Sequence, residues 1–492
     1  TNNAKTDYNI RVDMDATWNE SSNKAHYKNR REGQPFFAVF NTAYSHEAFV
    51  HPHKRRDFGA DATNPQDVTL PSYHPDTPNF RRDRAQYYDN LNWMDQWVGK
   101  MLDELEESGL AENTIVFYYS DHGGVLPRSK RFLFNSGTHA ALVIRFPEKY
   151  KHLAPAQTGQ EVKEPVTFAD LGPTVLSLAD IETPAFMHGR AFAGAHKASP
   201  RKYAYCYRAR MDERFDFSRA VKTDRFNYIR NYLPHLIYGQ HIEYMFKQES
   251  YQEWRELYRE GKLNEVQGKF WEPKPAEELY DFVNDPNEVV NLVDDPKYAD
   301  VLEELRAENK RHMLEIRDCG FVPEDSHYRI QDELDNPDVY NLERYLEMAD
   351  VVTARDPKQL PQLIKWMGDP DRIVRYWAAM GCLMLGDKAK GAEEALRKAL
   401  EDPYEIVRLP SAESLFWLGH KDEGRKVLEQ YASHKNKLQL WAVNAIDRLG
   451  EDGRPSLPVL KQAWNEKWAD KQVQKVIRHT FEQLGETIDE DQ

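Results

Sequence analysis

The sequence predicts an α/β chain that ends in an all-α repeat array. Three observations carry this. Short apolar runs at 36–40, 115–119 and 141–146 have the β-branched and aromatic composition of buried strands, and an amphipathic helical stretch falls between the first two. Titratable residues follow directly where the first two runs stop: His46 after one, Asp121 and His122 after the other. In residues 351–487, glycines and Asp-Pro pairs recur at the period of a helix pair.

The 492 residues suggest more than one domain, and 40% hydrophobic with 12% aromatic residues is enough for sizeable cores. A formal net charge of −15 argues against nonspecific binding to nucleic acid or to an anionic membrane surface. A locally basic pocket is still open to the chain, because Arg128, Lys130 and Arg131 cluster in one loop. No apolar run approaches the ~18 residues of a transmembrane helix. Cys206, Cys319 and Cys382 are far apart and form no C-x-x-C pair, so neither a zinc ribbon nor a disulfide framework is indicated. The polar opening, Thr1 to Asp7, has no initiator Met and no signal-peptide pattern, so the chain is expected to begin inside a longer gene product.

Residues 1–34 are polar and irregular. Pro35 introduces the strand-like run Phe36–Phe40, which ends at Ser45-His46-Glu47. Five prolines in 51–79 predict a long surface loop. Over 81–108, Tyr87, Leu91, Met94, Trp97, Val98, Met101, Leu102 and Leu105 recur at helical steps, and Gly109 is a plausible stop. Ile115–Tyr119 reads as a strand buried on both faces, and Gly123-Gly124 permit a sharp turn at its end. Strand, helix and strand in this order predict a parallel sheet, where chemistry gathers at the carboxyl ends of strands. Phe168–Leu178 reads as a helix with Asp170 and Thr174 on its polar side.

From Arg201 the pattern changes. Arg219–Lys222 and Asn227–Arg230 suggest short half-exposed strands, Glu278–Asp281 another, and Tyr298–Ile316 a charged helix. This predicts a smaller α+β subdomain over 201–320, with a polar linker at 321–350. Beyond it, Gly386, Gly419, Gly450 and Gly485 are spaced by 33, 31 and 35, and Asp369-Pro370 and Asp402-Pro403 repeat at 33. Each Asp-Pro leads to an Ile-Val-Arg, at 373–375 and at 406–408. The stretch 351–487 resembles HEAT-like repeats, a solenoid of helix pairs, and 488–492 is an acidic tail.

The chemistry is carried by few residues, each with an ordinary alternative. A strand-end Asp such as Asp121 can simply cap a turn. Lys130 and Arg131 can be a solvated charge cluster. A lone His46 can be structural, and His51 and His53 read as surface residues of the proline-rich loop.

Taken together and in order, these features resemble the sulfatase family, the formylglycine-dependent branch of the alkaline phosphatase superfamily. Pro35-Phe36-Phe37 through Ser45-His46-Glu47 matches that family's strand and histidine. Met94-Asp95 and Val98-Gly99 match its helix, and Ser120-Asp121-His122-Gly123 the loop that follows Asn113–Val116. Lys130, Ser136-Gly137 and Arg145-Phe146-Pro147 continue the match, and Leu279-Tyr280-Asp281 with Asp285-Pro286, Glu288 and Asn291-Leu292 fits a C-terminal signature. The resemblance covers roughly 1–320, with a partial catalytic domain expected at 1–200: an alkaline-phosphatase-like parallel sheet with helices on both faces.

The resemblance implies roles. Asp121 and His122 match half of a calcium site, although imidazole is an uncommon ligand for a hard cation. Lys130 matches the lysine that contacts the sulfate, and His46 the histidine that protonates the leaving group. The implied substrate is a sulfated carbohydrate, and the implied location is periplasmic or secreted. The family's nucleophile, a formylglycine made from Cys or Ser in a C/S-x-P-x-R motif, has no counterpart among these residues, nor do its paired N-terminal aspartates. The chain is therefore expected to be an N-terminally shortened sulfatase, inactive alone, whose full-length form hydrolyses sulfate esters. Two rivals stand beside this: a phosphodiesterase or phosphatase of the same superfamily, and a non-catalytic HEAT-repeat protein whose sulfatase part is a relic. The solenoid implies a protein or polysaccharide partner.

Overall fold

The computed structural model describes residues 1–3, 5–6, 11–324, 336, 339–466 and 470–488. They fall into two compact units, one of residues 1–70 with 76–112 and one of 71–75 with 113–492. This division differs from the boundary expected near residue 200.

In the first unit, β1 (Asn2–Asn3) pairs in parallel with β2 (Val39–Phe40). The strand expected over 36–40 is thus reduced to two paired residues, and Phe37 is exposed. Asp13 caps one turn, α1 (Met14–Thr17), through the N–H groups of Asp15 and Ala16. The predicted long helix is present as α2 (Pro78–Glu107). Thr77 caps it by accepting the Phe80 N–H, Pro78 sits in the first turn where no donor is needed, and Gly109 closes it with φ +69°. Its buried residues are partly polar. Asp83 meets Arg55 at 2.5 Å, and Asp89 Oδ1 accepts from the Thr63 N–H and hydroxyl. Two carboxylates thereby fasten the proline-rich loop, which is folded into short 3-10 turns.

The second unit opens with β3 (Val116–Tyr119), the single helical turn α3 (Asn135–Thr138) and β4 (Leu142–Arg145). Here the expected parallel sheet is corrected. β3 and β4 pair antiparallel, with Val116 opposite Arg145, because the chain folds back within residues 120–141 and makes no crossover. Neither strand is buried on both faces: Val143 is 64% and Tyr119 45% exposed. A 3-10 turn at Phe168–Asp170 leads into α4 (Leu171–Leu178). Asp170 and Thr174, expected on a polar side, are buried instead. Asp170 is consumed in joining Thr167, Arg190 and Arg201.

Four strands follow in an antiparallel sheet of sequential order: β5 (Ala204–Arg208), β6 (Ser218–Lys222), β7 (Phe226–Asn231) and β8 (Glu277–Asp281). α5 (Glu249–Arg259) and α6 (Glu265–Gly268) lie in the β7–β8 connection, and α7 (Ala299–Glu315) packs on β6 and β7. Val221, Tyr228, Leu279, Leu302 and Leu305 form the core between helix and sheet. β6 and β7, expected to be half-exposed, are covered on this face.

The remaining helices are α8 (Leu342–Thr353), α9 (Leu360–Trp366), α10 (Arg372–Leu385), α11 (Glu393–Ala399), α12 (Arg408–Trp417), α13 (Lys421–Ala432), α14 (Gln439–Arg448), α15 (Leu457–Asn465) and α16 (Lys471–Gln483). α8, α10, α12, α14 and α16 pack each on the next, and α9, α11, α13 and α15 pack against them. The sequence landmarks have physical work here. Gly386, Gly419, Gly450 and Gly485 all have positive φ directly after a helix. Arg375 reaches back to the Asp369 carbonyl and Arg408 to the Asp402 carbonyl, six residues earlier in each case. Arg375 also holds the Asp402 carboxylate with two bonds, 2.7 and 2.9 Å.

The linker expected at 321–350 needs correction where it is described. α8 begins at Leu342, and Phe321 is buried in a core shared by Phe217, Tyr232, Tyr345 and Trp377. Residues 325–335 and 337–338 of that linker, and 489–492 of the acidic tail, lie outside the described residues. No described helix is long and apolar enough to cross a membrane.

Candidate functional site

The loop between β3 and β4 is built by close backbone contacts. Gly123 N–H donates to Gly137 O at 2.9 Å, Gly124 N–H to Ser136 O at 2.8 Å, and Lys130 N–H to Gly124 O at 3.0 Å. A side chain at Gly123 would collide with the Ser136 carbonyl, and one at Gly137 with the Ser129 carbonyl. These glycines are required by approach, not by a turn conformation.

Asp121 and His122 sit at the strand end, as their spacing predicts. Asp121 is exposed, and its Oδ1 lies 3.7 Å from His122 Nε2. The other ring nitrogen, Nδ1, is 2.8 Å from the Gly123 carbonyl oxygen. Both residues line an open cavity of about 3080 Å³, walled also by β4 and β5. One carboxylate and one imidazole fall short of the six to eight oxygens that calcium takes. Among the described residues, no three or more His, Cys, Asp or Glu gather into a metal site. The pair by itself does not fit a calcium ion.

Lys130, in the same loop, is half-buried. His46 belongs to the first unit, whereas Asp121, His122 and Lys130 belong to the second. His46 is exposed, and its Nδ1 accepts the Ala48 N–H at 3.1 Å. Cys206, Cys319 and Cys382 do not fit the formylglycine role: none begins a C-x-P-x-R sequence, and burial pushes all three thiols up.

Sequence reasoning missed the residues that hold the loop. Arg128, taken as one member of a basic cluster, is 7% exposed and has φ +63°. Its guanidinium donates to the carbonyls of Asn287 (2.8 Å) and Glu288 (2.6 Å) and lies over the Phe134 and Tyr73 rings. The buried Glu288 carboxylate accepts from the Asn135 N–H and from Asn227 Nδ2. Lys222, also buried, donates to Asn135 Oδ1 at 2.9 Å and Thr138 Oγ1 at 2.7 Å. Burial pushes the Lys222 ammonium down and the Glu288 carboxyl up, and each charge draws the other back. Only Glu288 left a trace in the sequence, as part of the signature after Asp285-Pro286.

Residues 1–181 match the family model for sulfatases, and residues 127–273 match that for the N-sulphoglucosamine sulphohydrolase C-terminal region. These two stretches are thus similar to sulfatase-family domains. An ulvan-active sulfatase of Formosa agariphila is 39% identical over 359 residues, 66% of this chain and 59% of that protein. The human N-sulphoglucosamine sulphohydrolase is 28% identical over 280 residues, 53% of this chain and 54% of that protein. The chain thus spans between half and two thirds of the length of these sulfatases. A solved 2-O GAG sulfatase aligns with a TM-score of 0.41 and 19% identity over 58% of this chain and 60% of its own.

Proposed function

We propose that the full-length protein is a sulfuric ester hydrolase acting on a sulfated carbohydrate. The observation that carries this is the 39% identity to an ulvan-active sulfatase over a stretch that takes in 66% of the chain. The relative named for N-sulphoglucosamine supports the carbohydrate class.

Within this reading, Lys130 is the sulfate contact. Its backbone N–H is held by the Gly124 carbonyl, and its ammonium offers positive charge where negative charge develops on the transferring group. His46 protonates the leaving oxygen as a general acid. Asp121 and His122 would supply one oxygen-bearing and one nitrogen donor to a divalent cation, which the pair could hold only with further ligands from outside it. The attacking group is assigned to no residue of this chain. A polymeric sulfated substrate places the full-length protein in the periplasm or outside the cell, and fractionation that finds it in the cytoplasm would contradict this.

The test is hydrolysis of a sulfated polysaccharide by the full-length protein. Lys130→Ala and Asp121→Asn are expected to lower kcat/KM at least about 100-fold, the scale of losing a preorganised electrostatic group. A loss of only a few-fold would remove these assignments.

The helices α8–α16 are read as a HEAT-like array with a protein or polysaccharide partner. Trp417, on α12, is 45% exposed and is the kind of ring a carbohydrate stacks on. Polymer affinity unchanged in Trp417→Ala would count against the polysaccharide version.

A further inference from the structure

We propose that Arg128, held by the Asn287–Glu288 turn, is a positioning residue that sets the place of Lys130. The inference rests on the reading of Lys130 as the sulfate contact.

The geometry points one way. Lys130 stands two residues after Arg128 in a segment pinned at both ends. On one side, Arg128 is anchored by two carbonyls 159 and 160 residues away and by two aromatic faces, and its own backbone N–H donates to the Tyr251 hydroxyl oxygen at 3.2 Å. Its backbone is in the left-handed region, which is unfavourable for a residue with a Cβ, so this anchor holds a conformation the chain would otherwise leave. On the other side, Glu288 and Lys222 grip Asn135 from two directions. Between them, Ser136 Oγ donates to the Arg128 carbonyl at 2.9 Å, closing the segment on itself. The turn of Glu288 has φ +49° and follows β8, while Lys222 ends β6. The four-stranded sheet thereby dictates where the lysine of a distant loop stands.

A planar fork that meets two carbonyls is not replaced by an ammonium. Arg128→Lys keeps the charge and loses the paired contact. Hydrogen exchange of this chain tests the anchor without reference to activity. The amides of Gly124 and Lys130 are expected to exchange roughly tenfold faster in Arg128→Lys, with β5–β8 amides unchanged. Glu288→Gln is the second variant, should the first not fold, and the same local acceleration is expected. Unchanged loop exchange, or acceleration through the whole sheet, overturns the inference.

The second arm uses 4-nitrophenyl sulfate and the full-length protein. Arg128→Lys is expected to lower kcat about tenfold with KM little changed, and to add nothing in a Lys130→Ala background. An equal loss in both backgrounds shows that Arg128 does not act through Lys130 and overturns the positioning role. If Lys130→Ala itself has no effect, the sulfate-contact reading fails, and the exchange result still decides whether Arg128 sets the loop.

Discussion

Arg214 Nη1 lies 2.7 Å from the Asp447 carboxylate, and both side chains are buried where the β5–β6 connection meets α14. Asn444 Oδ1 accepts from the same nitrogen at 2.9 Å, and His479 Nδ1 is 2.8 Å from Asp447 Oδ1. The sulfatase-like subdomain and the last helices are therefore joined by a buried ionic network. Burial alone would raise the Asp447 carboxyl, but His479 and Arg214 more than offset it and hold it far below the usual range. Removing one partner of such a pair strands the other. Arg214→Met is expected to cost about 3 kcal/mol, while Arg425→Met, which breaks a pair with the exposed Asp422, costs less than about 0.5. Urea unfolding of the two variants checks this, and equal costs would refute it.

The shared core makes the helices part of the subdomain's stability. Trp377 Nε1 donates to the Phe321 carbonyl at 2.8 Å, and Phe217 and Tyr232 pack in the same cluster as Tyr345. Deleting residues 342–492 uncovers several large aromatic rings, each worth roughly 2–3 kcal/mol of burial. The shortened chain is expected to be insoluble or to bind a hydrophobic dye strongly. A soluble fragment with a cooperative melt would show that the helices are dispensable.

Acid stability follows from His235. Its Nδ1 is buried with no hydrogen-bond partner among the described residues. Burial, with the charges of Arg448 and Lys274 nearby, pushes the imidazole down to about 3. The unfolded ring titrates near 6.5. Between these values the unfolded chain binds more protons, so stability is full above pH 6.5 and falls as the pH drops toward 3. The expected loss over that window is about 2–4 kcal/mol, reduced from the full linkage value because the residue keeps some solvent contact. His235→Asn should flatten the slope of unfolding free energy against pH across that range. The same slope in both proteins would rule His235 out as its source.

Gly137 is fixed by space. A Cβ there would overlap the Ser129 carbonyl oxygen and crowd the Phe132 carbonyl at 2.7 Å. Backbone atoms cannot yield as a side chain can, so Gly137→Ala is expected to cost about 2 kcal/mol or more. Gly109→Ala is the useful contrast: its space is open and only its φ of +69° resists, at about 1 kcal/mol. Thermal melts that rank the two the other way would contradict this account.

Much of the local structure was legible. Gly109 stops α2 in the sequence as it does in space, and the helix read over 81–108 is found over Pro78–Glu107. The Asp-Pro and glycine landmarks mark real helix ends, and the two Ile-Val-Arg arginines make the same backward contact. Asp121 and His122 do stand where β3 stops. What failed was direction and cover. A strand's composition does not say which neighbour it takes: the runs at 36–40 and 115–119 with the helix between them predict a parallel sheet, whereas β3 pairs antiparallel with β4. Asp170, read on the polar side of a helix, is buried because it joins three partners, and Arg128, read as one of a basic cluster, is buried by carbonyls far off in the chain.

By itself the sequence determined the elements, the repeat landmarks, the strand-end pair and the resemblance that the sulfatase family models reproduce over residues 1–273. These depend on neighbours within a turn or two, or on ordered motifs. The tertiary structure alone decided that Arg128, Glu288 and Lys222 hold the loop of Lys130, and that the helices share a core with the sheet. Each of those facts rests on contacts between residues about 90 to 160 positions apart, closed by burial and charge pairing, which no local pattern encodes.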